Sequence, residues 1–204
     1  MTFIVAGITS DDRVFTFSDG LSIDKDDKDN EIRRHTDTKK YDTFEEYNAV
    51  VVLASSHMPY YQRFCEQVKK KTRSIKTIRQ LANLYARELK NWQKEGSRFQ
   101  ILVAGYDKKP ELYFFSNGDK HKRPYKVSYE LGGFQYEVRY LFDNLYLRGS
   151  IPNKESLLEK SKEAMRMTED LHEYVGGTWT VFEISEKGLK KHMFIPKTGN
   201  ILPV

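Results

Sequence analysis

The order of strand and helix patterns is the feature that most restricts how this chain can fold. A strand hairpin is followed by two helices, and the same order is repeated before a final hairpin. Strands that follow each other across short turns favour antiparallel sheets. We therefore expect an α+β protein in which two antiparallel sheets pack together and helices cover their outer faces. This arrangement is a four-layer αββα sandwich.

Short apolar runs bounded by turn residues predict the strands. They cover residues 2–8, 13–18, 49–53, 99–106, 111–115, 125–129, 178–184 and 190–194. Between residues 23 and 40, twelve of eighteen side chains are Asp, Glu, Lys or Arg. Most of that segment is predicted to be a solvated loop whose end returns as a strand near Lys39-Lys40-Tyr41.

Apolar residues spaced at i, i+3 and i+4 predict four helices. They cover residues 58–71, 75–94, 134–147 and the segment from a capping residue, Asn153, to residue 171. Phe134 opens the apolar stripe of the third helix. No linker composition or short-period repeat interrupts the chain, so residues 1–204 are predicted to form one domain.

Composition excludes several classes of protein. Hydrophobic residues make up 39% and charged residues 31%, which is typical of a globular domain. The longest apolar runs are too short for a transmembrane helix, and no signal peptide is recognisable. Cys65 is the only cysteine, which excludes an intramolecular disulfide and favours a reducing compartment. We expect a cytoplasmic protein with no membrane partner.

Ligand-binding patterns are weak. The net charge is +5, but the basic stretch at 69–73 has no interleaved aromatic residues, which argues against nucleic-acid binding. Basic residues at a helix end are favourable for the helix dipole alone. The histidines are scattered, at positions His35, His57, His121, His172 and His192. We expect no metal site, and no cofactor since the phosphate-binding glycine motifs are absent.

Thr2 directly follows Met1 and opens the first apolar strand. If Met1 is removed, Thr2 carries a free α-amine beside its hydroxyl. An α-amine has a pKa of about 8, so it can accept the hydroxyl proton near neutral pH. This arrangement predicts a nucleophile and a base on one residue. Threonine also follows Met in many proteins without consequence.

Five segments resemble the proteasome β-subunit family and its bacterial ring-forming relatives, which are N-terminal-nucleophile (Ntn) hydrolases. They are Thr2-Phe3-Ile4-Val5-Ala6-Gly7, Phe17-Ser18-Asp19-Gly20, Val103-Ala104-Gly105-Tyr106-Asp107 with Pro110-Glu111-Leu112-Tyr113, Leu131-Gly132-Gly133 and Tyr174-Val175-Gly176-Gly177. Their order and spacing carry the resemblance, which extends over nearly the whole chain. In that family Leu131-Gly132-Gly133 would be the turn before the third helix.

The resemblance implies a set of site residues. Thr2 would be the nucleophile, with its α-amine as general base, and Asp19 would hold a lysine near the hydroxyl. We assign that lysine to Lys40, because its spacing to Ala54-Ser55 matches the spacing in the family. Its neighbour Lys39 would point to the opposite strand face. A backbone N–H near Ala54 or Ser55 would form the oxyanion hole.

Three positions depart from the family pattern. Active members carry a serine where this chain has Leu131 or Gly132. They also carry an aspartate and, three residues later, a serine, where this chain has His172 and Val175. Neither leucine, glycine nor valine can supply the hydrogen bonds of a hydroxyl. His172 is interpreted either as a substitute for the aspartate or as a surface histidine that ends a helix.

Three functions are therefore open. The first is a threonine-type peptidase assembled into a ring or another homo-oligomer, with peptides or proteins as substrates and any ATPase partner unidentified. The second is an inactive structural or assembly protein of the same fold. The third is an amide hydrolase or ligase other than a peptidase that uses the same N-terminal residue.

Overall fold

The computed structural model describes residues 2–25, 31–36, 38–55, 58–92, 99–116, 123–133, 136–195 and 200–203. Within these ranges the chain is α+β, with four α-helices and two extended antiparallel sheets, as predicted. The helices are α1 (Met58–Lys69), α2 (Ile78–Trp92), α3 (Arg139–Leu145) and α4 (Lys154–Leu171). None of the described helices is both long enough and apolar enough to cross a membrane.

The described strands are numbered in chain order. They are β1 (Phe3–Thr9), β2 (Arg13–Ser18), β3 (Ser22–Lys25), β4 (Glu31–His35), β5 (Tyr41–Phe44), β6 (Ala49–Ser55), β7 (Phe99–Asp107), β8 (Lys109–Ser116), β9 (Tyr125–Lys126), β10 (Tyr129–Gly133), β11 (Trp179–Ser185), β12 (Gly188–Ile195) and β13 (Asn200–Pro203). The first sheet has the order β10-β1-β2-β11-β12-β13, and the second has the order β5-β6-β7-β8-β9.

The alternation of side chains along β1 shows how the two sheets are used. Phe3 and Val5 belong to an apolar cluster with residues of α3 and α4, such as Phe142 and Leu157. Ile4 and Ala6 belong instead to a cluster that contains residues of the second sheet, among them Leu102. A third cluster joins the other face of the second sheet to α1 and α2. Each sheet therefore buries one face against the other sheet and one against helices.

The charged segment at 23–40 was predicted mainly as loop, and this prediction is wrong in part. β3 and β4 pair as a separate two-stranded hairpin, with Ser22 opposite His35. Charged segments can form strands when neighbouring backbone groups pair, and the charge pattern alone does not reveal such pairing. The predicted strand at Lys39-Lys40-Tyr41 begins two residues later than expected, at Tyr41.

The segment at 125–133 also differs from the prediction. The expected strand at 125–129 is divided, because β9 pairs with β8 in the second sheet whereas β10 pairs with β1 in the first. The chain crosses between the sheets at Val127 and Ser128. Leu131, Gly132 and Gly133 therefore belong to a strand, and not to a turn as predicted.

The helix predictions are confirmed for α1, α2 and α4, with shorter ends for the first two. Asn153 caps α4, and its Oδ1 accepts a hydrogen bond from the Ser156 N–H at 2.8 Å. The third helix is shorter than predicted and begins at Arg139. Tyr136, within the predicted helix, is 84% exposed. Phe134 lies outside the described residues, as do residues 93 and 94 at the predicted end of α2.

Candidate functional site

Thr2 lies directly before β1 and is 2% exposed. Its Oγ1 atom is buried and has no hydrogen-bond partner among the described residues. Buried hydroxyls in proteins are nearly always hydrogen-bonded, and the hydroxyls of Thr16 and Ser161 are likewise buried without a partner among the described residues. Met1 lies outside the described residues.

Asp19 follows β2 and is hydrogen-bonded to the residue after Thr2. The Phe3 N–H donates to Asp19 Oδ1 at 2.9 Å, and the Asp19 N–H donates to the Phe3 carbonyl at 3.3 Å. The antiparallel register produces this contact, because Ile4 lies opposite Ser18 and the next pair of residues is Phe3 and Asp19. The carboxylate is thereby fixed beside the backbone of residue 2.

Lys40 reaches the other oxygen of the same carboxylate. Lys40 Nζ donates to Asp19 Oδ2 at 2.8 Å, and both side chains are fully buried. The Gly176 N–H donates to the same oxygen at 3.4 Å. The structure places Lys39 differently, because that side chain is exposed and its Nζ lies 5.2 Å from the centre of the Tyr41 ring.

Burial sets the protonation behaviour of this pair. Burial raises the pKa of the Asp19 carboxyl above its usual range, although the Lys40 charge and the hydrogen bonds from Lys40, Phe3 and Gly176 oppose the shift. Burial likewise lowers the pKa of Lys40, and the Asp19 carboxylate opposes this shift. Lys40 therefore gives up its proton more readily than a surface lysine does.

Ala54 and Ser55 lie at the end of β6, next to the Lys40 backbone. The Leu53 N–H donates to the Lys40 carbonyl at 3.1 Å. N–H groups alternate in direction along a strand, so the Ala54 N–H points the other way, towards Gln100 of β7. The Ser55 N–H is on the same side of β6 as that of Leu53.

The glycines of β10 lie against the start of β1. Gly133 has φ +79°, and a Cβ atom there would be 1.5 Å from the Thr2 carbonyl oxygen. Gly132 pairs with Ile4, and its Cβ position would be 3.0 Å from Gln100 Oε1. Leu131 instead packs in the cluster that faces α3 and α4. Of the two residues matched to the family serine, Gly132 therefore shares the inter-sheet side with Ile4.

The side chains of His172 and Val175 do not donate hydrogen bonds to the Asp19 carboxylate. His172 ends α4, and its Nε2 lies 3.4 Å from Glu137 Oε2. Val175 is buried in the apolar cluster that faces α3 and α4. The Gly176 backbone next to Val175 is what reaches Asp19.

Sequence reasoning missed two members of the site. Gly176 contributes a backbone N–H, and its place in the segment Tyr174-Val175-Gly176-Gly177 does not by itself reveal this role. Gln100 is a polar residue at the start of an apolar strand, which is a weak signal. Its Oε1 accepts a hydrogen bond from the Gly133 N–H at 2.5 Å.

Other chemistry finds little support in the described part of the chain. No group of three or more His, Cys, Asp or Glu side chains there could hold a metal ion. His57 and His121 lie outside the described residues. No protein-family model matches this chain, and no curated protein matches its sequence.

The geometry brings Asp19 and Lys40 into one buried network that reaches the backbone of Phe3, the residue after Thr2, and Ala54 and Ser55 adjoin it through Leu53. A buried lysine with a lowered pKa and a fixed carboxylate are groups that can assist a nucleophile.

Proposed function

We propose that the chain is a proteasome-like N-terminal threonine hydrolase that cleaves amide bonds and assembles into a ring or another homo-oligomer. The observation that supports the proposal is the position of the buried Thr2 hydroxyl, which has no hydrogen-bond partner among the described residues. The next residue, Phe3, donates its backbone N–H to Asp19, and Asp19 is paired with Lys40. In this proposal the two sheets and their covering helices form the αββα sandwich of Ntn hydrolases, in a cytoplasmic protein.

The proposed reaction requires removal of Met1. With Met1 attached, the Thr2 nitrogen is an amide and Thr2 is 2% exposed, so the hydroxyl has neither a local base nor access to substrate. Removal of Met1 leaves an α-amine that takes the Oγ1 proton as Oγ1 attacks the substrate carbonyl. Lys40 stabilises the developing negative charge on Oγ1, and Asp19 holds the ammonium in place.

The later steps complete a two-stage hydrolysis. The tetrahedral oxyanion is held by a backbone N–H at the end of β6, and the direction of the strand favours Ser55 over Ala54 for this role. The amine leaving group takes the proton from the Thr2 ammonium and departs, which leaves an ester on Oγ1. Water, deprotonated by the α-amine, then hydrolyses the ester and regenerates Thr2.

The test is covalent labelling of Thr2. Protein with Thr2 as its first residue, prepared by cleavage of a removable leader, is incubated with an electrophile that captures both the hydroxyl and the amine of an N-terminal threonine. We expect a single adduct on Thr2 by intact mass and peptide mapping, and turnover of a peptide library. Thr2→Ala should abolish both, and retention of Met1 should prevent both.

Lys40 has a matched control in its neighbour. Lys40→Met removes the buried ammonium, whereas Lys39→Met removes an exposed one in the same segment. We expect labelling to fall at least 100-fold in Lys40→Met and to stay within twofold of wild type in Lys39→Met. Peptide turnover that persists in Thr2→Ala would refute the mechanism.

A second candidate is an inactive assembly protein of the same fold. Val175 and Gly132 favour it, because neither can supply the hydroxyl that the family uses near the α-amine. A folded, Met1-free protein that assembles but neither labels nor turns over peptides would establish this alternative.

A further inference from the structure

Gln100 connects the two sheets at the start of β1. It lies on β7 of the second sheet, and its Oε1 accepts a hydrogen bond from the N–H of Gly133 on β10 of the first. Gly133 lies opposite Phe3 in the β1–β10 register. The carboxamide of Gln100 therefore holds the strand that borders residue 2.

The contact between Gly133 and Thr2 has no spare room. A Cβ atom on Gly133 would be 1.5 Å from the Thr2 carbonyl oxygen, so the two backbones touch directly. Any shift of Gly133 changes the space available to the Thr2 carbonyl. Through Gly133, the hydrogen bond of Gln100 acts on the position of the Thr2 backbone.

The same side chain lies next to two other parts of the site. Gln100 is the register partner of Ala54, at the end of β6 where the oxyanion donor is proposed. Its Oε1 is also 3.0 Å from the position of a Cβ on Gly132, the residue that faces the inter-sheet side in place of the family serine. The Gln100 carboxamide therefore lies where a side chain at position 132 would extend.

We propose that Gln100 is a positioning residue that fixes the Thr2 backbone relative to the end of β6 and the Lys40–Asp19 pair. This role rests on the proposed hydrolase function. It differs from a purely structural role because the alignment of a nucleophile affects the rate of bond formation more than the strength of reversible binding. Displacements of about 1 Å can cost on the order of 100-fold in rate.

The experiment measures how fast the threonine-directed electrophile reacts with Met1-free protein at a series of electrophile concentrations. This series gives two quantities, the maximal inactivation rate and the electrophile concentration at which half of that rate is reached. Gln100→Leu removes the acceptor at nearly the same volume. We expect its maximal rate to fall by about 10- to 100-fold, with the half-maximal concentration within about twofold. Gln100→Glu keeps an oxygen acceptor for the Gly133 N–H and should recover most of the rate.

Controls separate this role from folding and from the parent proposal. Gln67→Leu, at an exposed glutamine of α1, should react like wild type. If Gln100→Leu does not fold, Gln100→Asn withdraws the carboxamide by one methylene and should show the same loss. A folded Gln100→Leu variant with wild-type rates overturns the role while the hydrolase proposal stands. A Met1-free wild type that does not react overturns both.

Discussion

Lys40 and Asp19 form a fully buried ion pair, which is expensive to create and more expensive to break. Two charges removed from water lose most of their hydration, and their mutual attraction offsets this loss only while both are present. At the residue scale, the pair is therefore the feature of this site whose energetics are most easily measured.

A double-mutant cycle tests the pair. Asp19→Asn keeps an acceptor for the Phe3 N–H but leaves Lys40 buried beside a neutral group, so we expect a loss of about 3 kcal/mol in the free energy of unfolding. Adding Lys40→Met removes the uncompensated charge and should restore most of that loss. Urea denaturation of the four proteins measures the coupling. Additive losses would contradict the assignment of a coupled buried pair.

Gly133 offers a second prediction, with Gly149 as its matched control. Both glycines have positive φ, at +79° and +76°, but a Cβ on Gly149 would meet nothing within 4 Å. Gly149→Ala should therefore lower the free energy of unfolding by about 1 kcal/mol, because alanine disfavours a positive φ. Gly133→Ala adds a collision with the Thr2 carbonyl and should lose at least about 2 kcal/mol more. Equal losses in the free energy of unfolding, measured by urea denaturation, would contradict this prediction and show that the Thr2 backbone moves aside at little cost.

At the scale of elements, Glu183 of β11 links its own strand to β2 of the same sheet and to α4, which covers that sheet. Its carboxylate forms ion pairs with Arg13 of β2 and, at 3.2 Å, with Lys154 of α4. Although burial raises the pKa of Glu183, the hydrogen bonds and charges of Lys154 and Arg13 lower it further, and the net pKa lies below the ordinary 4.5.

The sign of this shift gives a pH dependence. A carboxyl group with a lowered pKa in the folded state stabilises the fold above its unfolded pKa, and this contribution is lost as the pH falls through the folded pKa. The difference in unfolding free energy between wild type and Glu183→Gln should be full at pH 7 and should shrink below about 4.5. Urea titrations at several pH values measure it. A difference that does not change between pH 7 and pH 3 would contradict the assignment.

At the scale of the whole molecule, the outer helical layer carries exposed apolar side chains at one end. Tyr140 of α3 contacts Met167 of α4. Tyr136, three residues before α3, and Leu171, the last residue of α4, are 84% and 56% exposed. The His172–Glu137 contact aligns the same two segments. Exposed apolar groups that gather on one surface mark contact sites. The proposed assembly gives such a surface a partner.

Sedimentation velocity tests that part of the proposal. We expect the wild type to sediment at a multiple of its 24.0 kDa chain mass. Tyr136→Ser with Leu171→Ser should shift it towards smaller species, because the contact loses apolar area. Leu147→Ser with Ile151→Ser, at exposed positions beyond the other end of α3, serves as the control. A wild-type monomer would count against the ring.

Much of the fold could be predicted from the sequence because its signals are local. The periodicity of α2, the Asn153 cap of α4 and the β7–β8 hairpin depend on residues close together in the chain. The pairing of β3 with β4 and the crossing of residues 127–128 between sheets depend on partners that a local pattern does not contain. Those two features were predicted wrongly, as was the start of the third helix.

The candidate site divides in the same way. The sequence by itself determined the residue types, since a threonine after Met1, an aspartate after the second strand and a lysine near position 40 can be read directly. The resemblance already assigned Lys40 rather than Lys39 as the partner of Asp19, and the structure contains that contact. Only the tertiary structure decided between Leu131 and Gly132 as the residue facing the inter-sheet side. It also brought Gln100 and Gly176 to the site. The physical reason is that burial and strand register, which set these contacts, arise from packing between segments far apart in the chain.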